Sequence, residues 1–295
     1  MTSNQKEHSQ QNSSKIYLLF FAPLFLLFII GCSDDGPCDN CEIGEMEMEM
    51  NEENEEDMNR LTDSLTLVAL YNSTDGENWD EKWDLSAPME EWFGITLNYN
   101  GTVQYIELQS NGLVGTLPHE LKNFTEIEAL EVRSGEMSGT IPDGLSALTS
   151  LRFLRFDDNG LSGNIPAELT NLANLEVLDL AENEFTGTIP TGFGALMRMD
   201  FIDLSKNNLT GEIPSDIGEL TGLVFLTLNF NDLSGCFPDS FFDLCNTFGV
   251  DLSFNPQLPW SGDFEKLCDG FPQLGAPCEL NGSAGTIDEN CNCVL

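Results

Sequence analysis

Basic residues and histidine are scarce in this sequence of 295 residues. It has 11 Lys and Arg against 50 Asp and Glu, which gives a formal net charge of -39 at pH 7. A nucleic-acid ligand needs basic residues that neutralise its phosphates, so DNA and RNA are excluded as partners. The same charge excludes electrostatic attraction to an anionic lipid surface. His8 and His119 are the two histidines, so we do not expect catalysis by a histidine general base.

Signatures of catalytic sites are also missing. The sequence has no phosphate-binding loop and none of the common nucleophile motifs. Neighbouring carboxylates on a sheet could match the spacing of a glycosidase pair, but a shallow sheet provides little desolvation. We therefore expect a protein that is not an enzyme and that holds neither a cofactor nor a metal ion.

The N-terminal segment contains one apolar run, from Ile16 to Ile30. It is shorter than the roughly 20 residues of a membrane-spanning helix and predicts the hydrophobic region of a signal peptide. The sequence Ile29-Ile30-Gly31-Cys32 resembles a bacterial lipobox, which implies that residues 1–32 are a lipoprotein signal and that Cys32 is lipidated. Ser33-Asp34-Asp35 resembles an acidic tag for the outer face of the outer membrane. The alternative is an ordinary secretory signal.

Residues 33–57 are strongly acidic, with twelve Asp and Glu and no basic residue. Self-repulsion and low hydrophobicity predict a disordered, extended tether. Cys38 and Cys41 form a C-x-x-C motif in this segment. In an exported protein this spacing favours a local disulfide.

Residues 103–246 consist of six copies of a 24-residue repeat. We number repeat positions from 1 at Val103, so that Ile127 is position 1 of the second copy. Apolar residues at positions 1, 4 and 6 predict a short strand whose side chains point inward. Asn at position 9 is expected to bond the backbone of successive turns, and Gly135 replaces it in the second copy. Stacking of the copies would bury one continuous core. The position 9 asparagines are Asn111, Asn159, Asn183, Asn207, Asn231 and, after the sixth copy, Asn255.

The repeat pattern LxxLxLxxNxFxGxIPxxFxxLxx, complete in residues 175–198, resembles the plant-type leucine-rich repeat. Proteins with this repeat include receptor-kinase ectodomains, polygalacturonase-inhibiting proteins and bacterial surface lipoproteins. The resemblance implies an α/β-type repeat solenoid, a right-handed superhelix with a parallel β-sheet on its concave face.

Both ends of a solenoid need a cap. Residues 58–102 predict an N-terminal cap with an amphipathic helix and the tryptophans Trp79, Trp83 and Trp92. The segment 92–96 resembles the family's cap element, but the cysteine pair common in plant caps is missing, so tryptophan burial must seal this end. Residues 247–295 predict a degenerate seventh repeat, a C-terminal cap and a cysteine-rich tail.

The C-terminal part of the chain, from Cys236 onward, contains six cysteines, and six cysteines allow 15 disulfide connectivities. We favour Cys236 with Cys245 or Cys245 with Cys268, and Cys278 bonded into the Cys291-Asn-Cys293 element. A zinc site is the alternative, but the cysteine spacing is irregular and no histidine lies nearby.

Side chains at positions 3, 5 and 7 should face out of the sheet because strand residues alternate between faces. Three arginines form a predicted basic patch in repeats two and three, which would suit an anionic or polar partner group. The alternative is an intramolecular charge ladder. Aromatic residues at position 3 predict a stacking stripe for a sugar or a peptide, and the alternative is an apolar position that the resembled family shares. The predicted partner-binding residues are Tyr105, Arg133, Arg152, Phe153, Arg155, Phe201 and Phe225.

Together these features predict an exported, lipid-anchored surface protein of the bacterial outer membrane. Its concave face would bind an extracellular protein or peptide in recognition or adhesion. One alternative is a glycan-binding protein that captures polysaccharide, and another is a structural surface component organised by calcium.

Overall fold

The computed structural model describes residues 55–235, 240, 244 and 249–258 with their side chains, and the backbone of 52–54 and of six short strands outside these ranges. Within residues 1–55, strands β1 (Ile16–Leu18), β2 (Leu26–Ile30) and β3 (Ile43–Glu47) form an antiparallel sheet in the order β1-β2-β3. Helix α1 spans Glu52–Ser73 and begins six residues before the predicted cap. Secondary structure therefore extends into the segment predicted to be a disordered tether.

Each of the first five repeats contributes two short strands and a 3-10 helix, the sixth adds two more strands, and the strands build two sheets. The first sheet has eight strands. β5, β7, β9, β11, β13, β15 and β17 are parallel to one another, and β4 pairs antiparallel with β5 at one edge. A second, six-stranded sheet consists of β6, β8, β10, β12, β14 and β16. The strands are β4 (Ile95–Leu97), β5 (Val103–Gln109), β6 (Val114–Thr116), β7 (Ala129–Arg133), β8 (Glu136–Gly139), β9 (Phe153–Arg155), β10 (Gly160–Asn164), β11 (Val177–Asp179), β12 (Glu184–Gly187), β13 (Phe201–Asp203), β14 (Asn208–Gly211), β15 (Phe225–Thr227), β16 (Asp232–Leu233) and β17 (Gly249–Asp251).

The register of the eight-stranded sheet equals the repeat period. Val177 lies beside Phe201, and Asp179 lies beside Asp203, so each pair joins the same position of consecutive repeats. Residues at the same repeat position therefore form rows across the strands. The 3-10 helices that return the chain are His119–Asn123, Asp143–Ala147, Ala167–Asn171, Phe193–Ala195 and Ser215–Glu219.

One hydrophobic core runs along the repeats. In the fourth repeat, Leu175, Leu178 and Leu180 at positions 1, 4 and 6 are fully buried, which confirms the predicted inward positions. Phe185 and Leu196, from later in the same repeat, are buried as well. Each repeat buries its apolar side chains against the next one, as in other solenoids.

The position 9 asparagines form the predicted ladder. Asn207 Nδ2 donates to the carbonyl of Leu180 in the previous repeat at 2.9 Å, and its Oδ1 accepts the backbone N–H of Phe185 at 2.9 Å. Asn183 and Asn231 make the equivalent contacts. Gly135 has no side chain with which to make them, so the ladder is interrupted in the second repeat.

The N-terminal cap is sealed by aromatic rings. Trp79, Trp83 and Trp92 are buried, as predicted for these side chains. Trp83 stacks on Trp92 with ring centroids 5.0 Å apart, and the indole of Trp79 donates to the carbonyl of Thr74 at 2.8 Å. The three rings belong to the same hydrophobic core as the repeats.

Helix α1 is joined to the first repeat by a buried carboxylate. The backbone N–H of Val103 donates to Asp63 Oδ2 at 2.7 Å, while Asp63 Oδ1 is buried without a hydrogen-bond partner. Burial, the main cause, and the nearby charge of Glu126 raise the pKa of Asp63 to about 6, against the lowering effect of the Val103 hydrogen bond.

The C-terminal repeat is degenerate but follows the same pattern. β17 pairs with β15, Leu252 is buried, and fully buried Asn255 donates to the carbonyl of Leu228 at 3.0 Å. Beyond it, β18 (Pro277–Leu280), β19 (Ser283–Ile287) and β20 (Cys293–Val294) form an antiparallel sheet.

All nine cysteine side chains lie outside the residues whose side chains are described, so the lipidation site Cys32 and every proposed disulfide stay predictions. Within the described part of the chain, no helix is long and apolar enough to cross a membrane.

Candidate binding face of the eight-stranded sheet

The open face is the side of the eight-stranded sheet that carries repeat positions 3, 5 and 7, flanked by positions 2 and 8. Burial alternates in three of its strands: in β9, for example, Phe153 and Arg155 are partly exposed while Leu154 between them is buried. In β7 and β11 the small position 3 residues Ala129 and Val177 are buried as well. Position 5 is therefore open to solvent in every strand of this sheet from β5 to β17, whereas position 7 is buried at Ala181 and Ser205. All seven predicted partner-binding residues lie on this face or at its edge.

Arg152 lies at position 2 and joins three repeats. Its guanidinium donates to both carboxylate oxygens of Glu176 at 2.9 Å and to Glu128 Oε2 at 3.2 Å. These hydrogen bonds raise the pKa of Arg152 above its usual value, the Glu176 bond most strongly. The guanidinium carbon also lies 5.0 Å from the ring centroid of Phe153, a cation–π distance.

The other two arginines are paired as well. Arg133 Nε and Nη2 donate to the two carboxylate oxygens of Asp157 at 2.6 and 3.1 Å. Arg155 Nη1 donates to Glu131 Oε1 at 3.2 Å. The three arginines are thus close together, but each faces an acidic neighbour one repeat away. This geometry matches the charge ladder rather than an uncompensated basic patch.

The aromatic residues at position 3 do not form a continuous stripe. Phe201 and Phe225 are neighbours, with ring centroids 6.1 Å apart and planes inclined by 58°. In the sheet register, Ala129 separates Tyr105 from Phe153, and Val177 separates Phe153 from Phe201. Because side chains of neighbouring strands lie about 5 Å apart, each gap leaves roughly 10 Å between aromatic positions.

Position 5 carries adjacent carboxylates in the fourth and fifth repeats. Partial burial, then the charge of Asp157, raises the pKa of Asp179 to about 6, and Asp203 adds a smaller raising effect. The pKa of Asp203 is also raised, chiefly by burial, although its hydrogen bonds from Ser205 oppose the shift. The charge on this part of the open face therefore depends on pH. Among the described side chains, no group of three or more His, Cys, Asp or Glu is placed to hold a metal ion.

Sequence reasoning missed a feature at position 8. Phe230 and Phe254 stack there with ring centroids 4.1 Å apart and planes 11° from parallel. Both rings are exposed, by 44% and 62%. The signal was available, because earlier repeats carry polar residues at position 8, such as Ser110, Asp158 and Lys206.

Comparison with known proteins identifies the repeat. The family model described as Leucine Rich Repeat matches residues 150–172, 174–196 and 198–220. A comparison with curated protein sequences gives no match. The chain is a leucine-rich-repeat solenoid with a parallel β-sheet.

Three solved structures show the same fold. The first is the ectodomain of the receptor kinase GASSHO1/SCHENGEN3 from Arabidopsis thaliana in complex with CASPARIAN STRIP INTEGRITY FACTOR 2. It is 27% identical, with a TM-score of 0.61 over 66% of this chain and 24% of that one. A plant ice-binding protein is 26% identical, with a TM-score of 0.59 over 66% and 63% of the two chains. The BIR3–SERK2 complex from Arabidopsis thaliana gives 27% identity and a TM-score of 0.52 over 59% and 95%. This chain thus spans about a quarter of the GASSHO1/SCHENGEN3 ectodomain.

Proposed function

We propose that this protein is an exported surface lipoprotein that recognises a protein or peptide segment with the open face of its eight-stranded sheet. The observation that carries the proposal is the open face itself, where rows of charged and polar side chains cross successive repeats and aromatic rings lie between them. Similarity to receptor ectodomains supports it, since the GASSHO1/SCHENGEN3 structure is a complex with CASPARIAN STRIP INTEGRITY FACTOR 2.

The dimensions of the open face favour an extended partner. Eight strands at a spacing of about 4.8 Å give a surface of roughly 34 Å across the strands. An extended peptide of about ten residues has this length. A small molecule needs a concave pocket that encloses most of its surface, whereas the open face presents rows of side chains that continue from one strand to the next.

A peptide display experiment tests this function. The purified protein is panned against random 12-residue peptides, and the affinity of each hit is measured for wild type and variants. Tyr105→Ala and Phe153→Ala remove outward rings from the open face, while Thr186→Ala changes an exposed residue of the second sheet and is the matched control. We expect the open-face variants to weaken binding about tenfold and the control to have little effect. A lack of micromolar hits, or equal losses in the control, would refute the proposal.

Membrane anchoring through Cys32 is a separate part of the proposal, supported by the lipobox-like sequence Ile29-Ile30-Gly31-Cys32. Cells fed an alkyne-labelled fatty acid should label the wild-type protein and not Cys32→Ala, and the variant should leave the membrane fraction. An equally labelled Cys32→Ala protein would contradict the anchor. Stable anchoring requires more than one acyl chain, as a lipidated N-terminal cysteine provides.

Glycan capture is the second candidate, favoured by the contact between the partly exposed rings of Phe201 and Phe225. Rings of this kind can stack on a sugar, and glycan binding would then depend on them. A glycan array with wild type and the triple variant Phe153→Ala, Phe201→Ala and Phe225→Ala tests this role. Binding that the triple variant loses would support capture of polysaccharide, and an empty array would remove this candidate.

A further inference from the structure

Phe230 and Phe254 expose apolar surface at the C-terminal end of the open face. Their rings are stacked in parallel at 4.1 Å, so one face of Phe254 is covered by Phe230. Phe254 is nevertheless 62% exposed. Most of this exposure must come from its other face and its edge, which leaves room for one more planar group on the stack.

The solenoid does not require phenylalanine at these two positions. Position 8 has a φ between 51° and 57° in every repeat, in the left-handed region. Short polar residues adopt this conformation more readily than bulky ones, and Ser110 and Ser134 occupy it in the first two repeats. Phe230 still leaves 44% of its surface exposed, and Phe254 leaves 62% of its surface exposed. Exposed apolar patches of this kind mark interaction sites.

The part of the sequence that contains the stack is acidic. Residues 199–258 contain nine acidic residues and one basic residue, Lys206. The ammonium of Lys206 is already paired with Glu182 in the preceding repeat. Asp251 lies on the open face three residues before Phe254, which places the two backbone positions at most about 11 Å apart. An anionic partner would be repelled here, and a cationic one attracted.

We propose that the stack of Phe230 and Phe254 anchors an arginine side chain of a basic peptide segment, with its guanidinium on the open face of Phe254. The guanidinium is planar, weakly hydrated and well suited to stacking on an aromatic ring. A second basic residue of the same segment would lie opposite Asp251. This assignment rests on the proposed function and adds the chemistry of the partner to it.

Fluorescence anisotropy with the full-length protein tests the assignment. The probes are fluorescein-labelled 12-residue peptides in which glycine alternates with arginine, lysine or glutamine, at pH 7.5 and 150 mM salt. Phe254→Ser introduces the residue that repeats one and two carry at position 8 and leaves the net charge unchanged. Tyr99→Ser is the control, because Tyr99 is an aromatic residue of the N-terminal cap that is 96% exposed.

We expect the arginine peptide to bind most tightly, the lysine peptide less tightly and the glutamine peptide not at all. Phe254→Ser should raise the Kd of the arginine peptide at least fivefold, and Tyr99→Ser should change it less than twofold. Equal binding to wild type and Phe254→Ser would overturn the proposal, because attraction to the net negative charge would then explain the affinity. Equal binding of the glutamine peptide would overturn it as well.

The outcome separates this assignment from the proposed function. If display hits bind wild type and Phe254→Ser equally and still depend on Tyr105 or Phe153, the recognition function stands and the arginine anchor is refuted. If no peptide binds the wild-type protein, both fail. A thermal melt of Phe254→Ser that matches wild type confirms that the variant is folded.

Discussion

Replacing Asp179 by asparagine should stabilise the protein at neutral pH. Asp179 lies on the open face, where partial burial and the charges of Asp157 and Asp203 raise its pKa from 3.8 to about 6. A carboxyl whose folded-state pKa is raised disfavours folding at a pH above that value. Asparagine removes the charge and keeps the oxygen that accepts the backbone N–H of Ala181 at 3.3 Å.

The expected gain in the free energy of unfolding follows from the linkage between protonation and folding. A shift of about two pKa units corresponds to roughly 3 kcal/mol if none of the charge is screened. Asp179 is partly exposed, so solvent screening reduces this value, and we expect Asp179→Asn to raise the free energy of unfolding by about 1 kcal/mol at pH 7.5.

Because the pKa of Asp179 is raised rather than lowered, the stability difference between Asp179→Asn and wild type should depend on pH in a specific way. As the pH falls through 6, folded wild type takes up a proton at Asp179 while the unfolded chain does so only near 3.8. Wild type therefore regains the lost stability between about pH 6 and pH 4, and the advantage of Asp179→Asn should vanish there.

Urea unfolding followed by tryptophan fluorescence at pH 7.5, 6 and 4.5 measures the difference. Asp251→Asn is the matched control, because Asp251 also lies at position 5 and accepts a backbone N–H two residues on, from Ser253 at 2.9 Å, but is exposed. Its change should stay within about 0.5 kcal/mol. An Asp179→Asn gain that does not depend on pH, or a loss at pH 7.5, would refute the reasoning.

Two further predictions concern the backbone of the solenoid, and chemical denaturation measures both. Asn207→Ala should lower the free energy of unfolding by about 2–4 kcal/mol, because it leaves a buried carbonyl and a buried N–H unpaired. The control Asn208→Ala, at the exposed next position, should lower it by less than about 1 kcal/mol. Similar losses in the two variants would show that the asparagine ladder adds little stability. Gly194→Ala should destabilise by more than about 1 kcal/mol because its Cβ would lie 2.2 Å from a backbone oxygen of the next repeat, while Gly222→Ala, with no atom nearer than 4.0 Å, should be tolerated. Equal stability of the two alanine variants would contradict the packing of the 3-10 helices.

The sequence carried enough information to predict the fold because the repeat itself encodes it. The constant repeat length set the register of the eight-stranded sheet, and the alternation of apolar residues identified the buried positions. The asparagine ladder followed from the need to pair buried backbone groups. The second sheet was not predicted, since its strands contain glycine, serine and threonine without a strong alternation of apolar residues.

The site was less predictable because it depends on which side-chain contacts form. The repeat register places Arg155 between Glu131 and Asp179, and the sequence does not decide between them; in the structure its hydrogen bond goes to Glu131. Arg133 contacts Asp157 at position 7 in the next repeat. Such choices depend on rotamers and local burial, which the position number alone does not specify.

The middle and the C-terminal end of the open face therefore differ in how they could bind a partner. In repeats two to four, Arg133, Arg152 and Arg155 already satisfy their neighbouring carboxylates, so a partner would have to break these pairs and leave a charge unpaired to use them. In the last repeats, Phe254 offers an apolar ring and Asp251 offers a carboxylate. Residues 199–258 contain no arginine that could neutralise this carboxylate. Among the described side chains Asp251 is in no ion pair, so a contact to it replaces water. The C-terminal end of the open face is consequently where a partner gains most for each contact it makes.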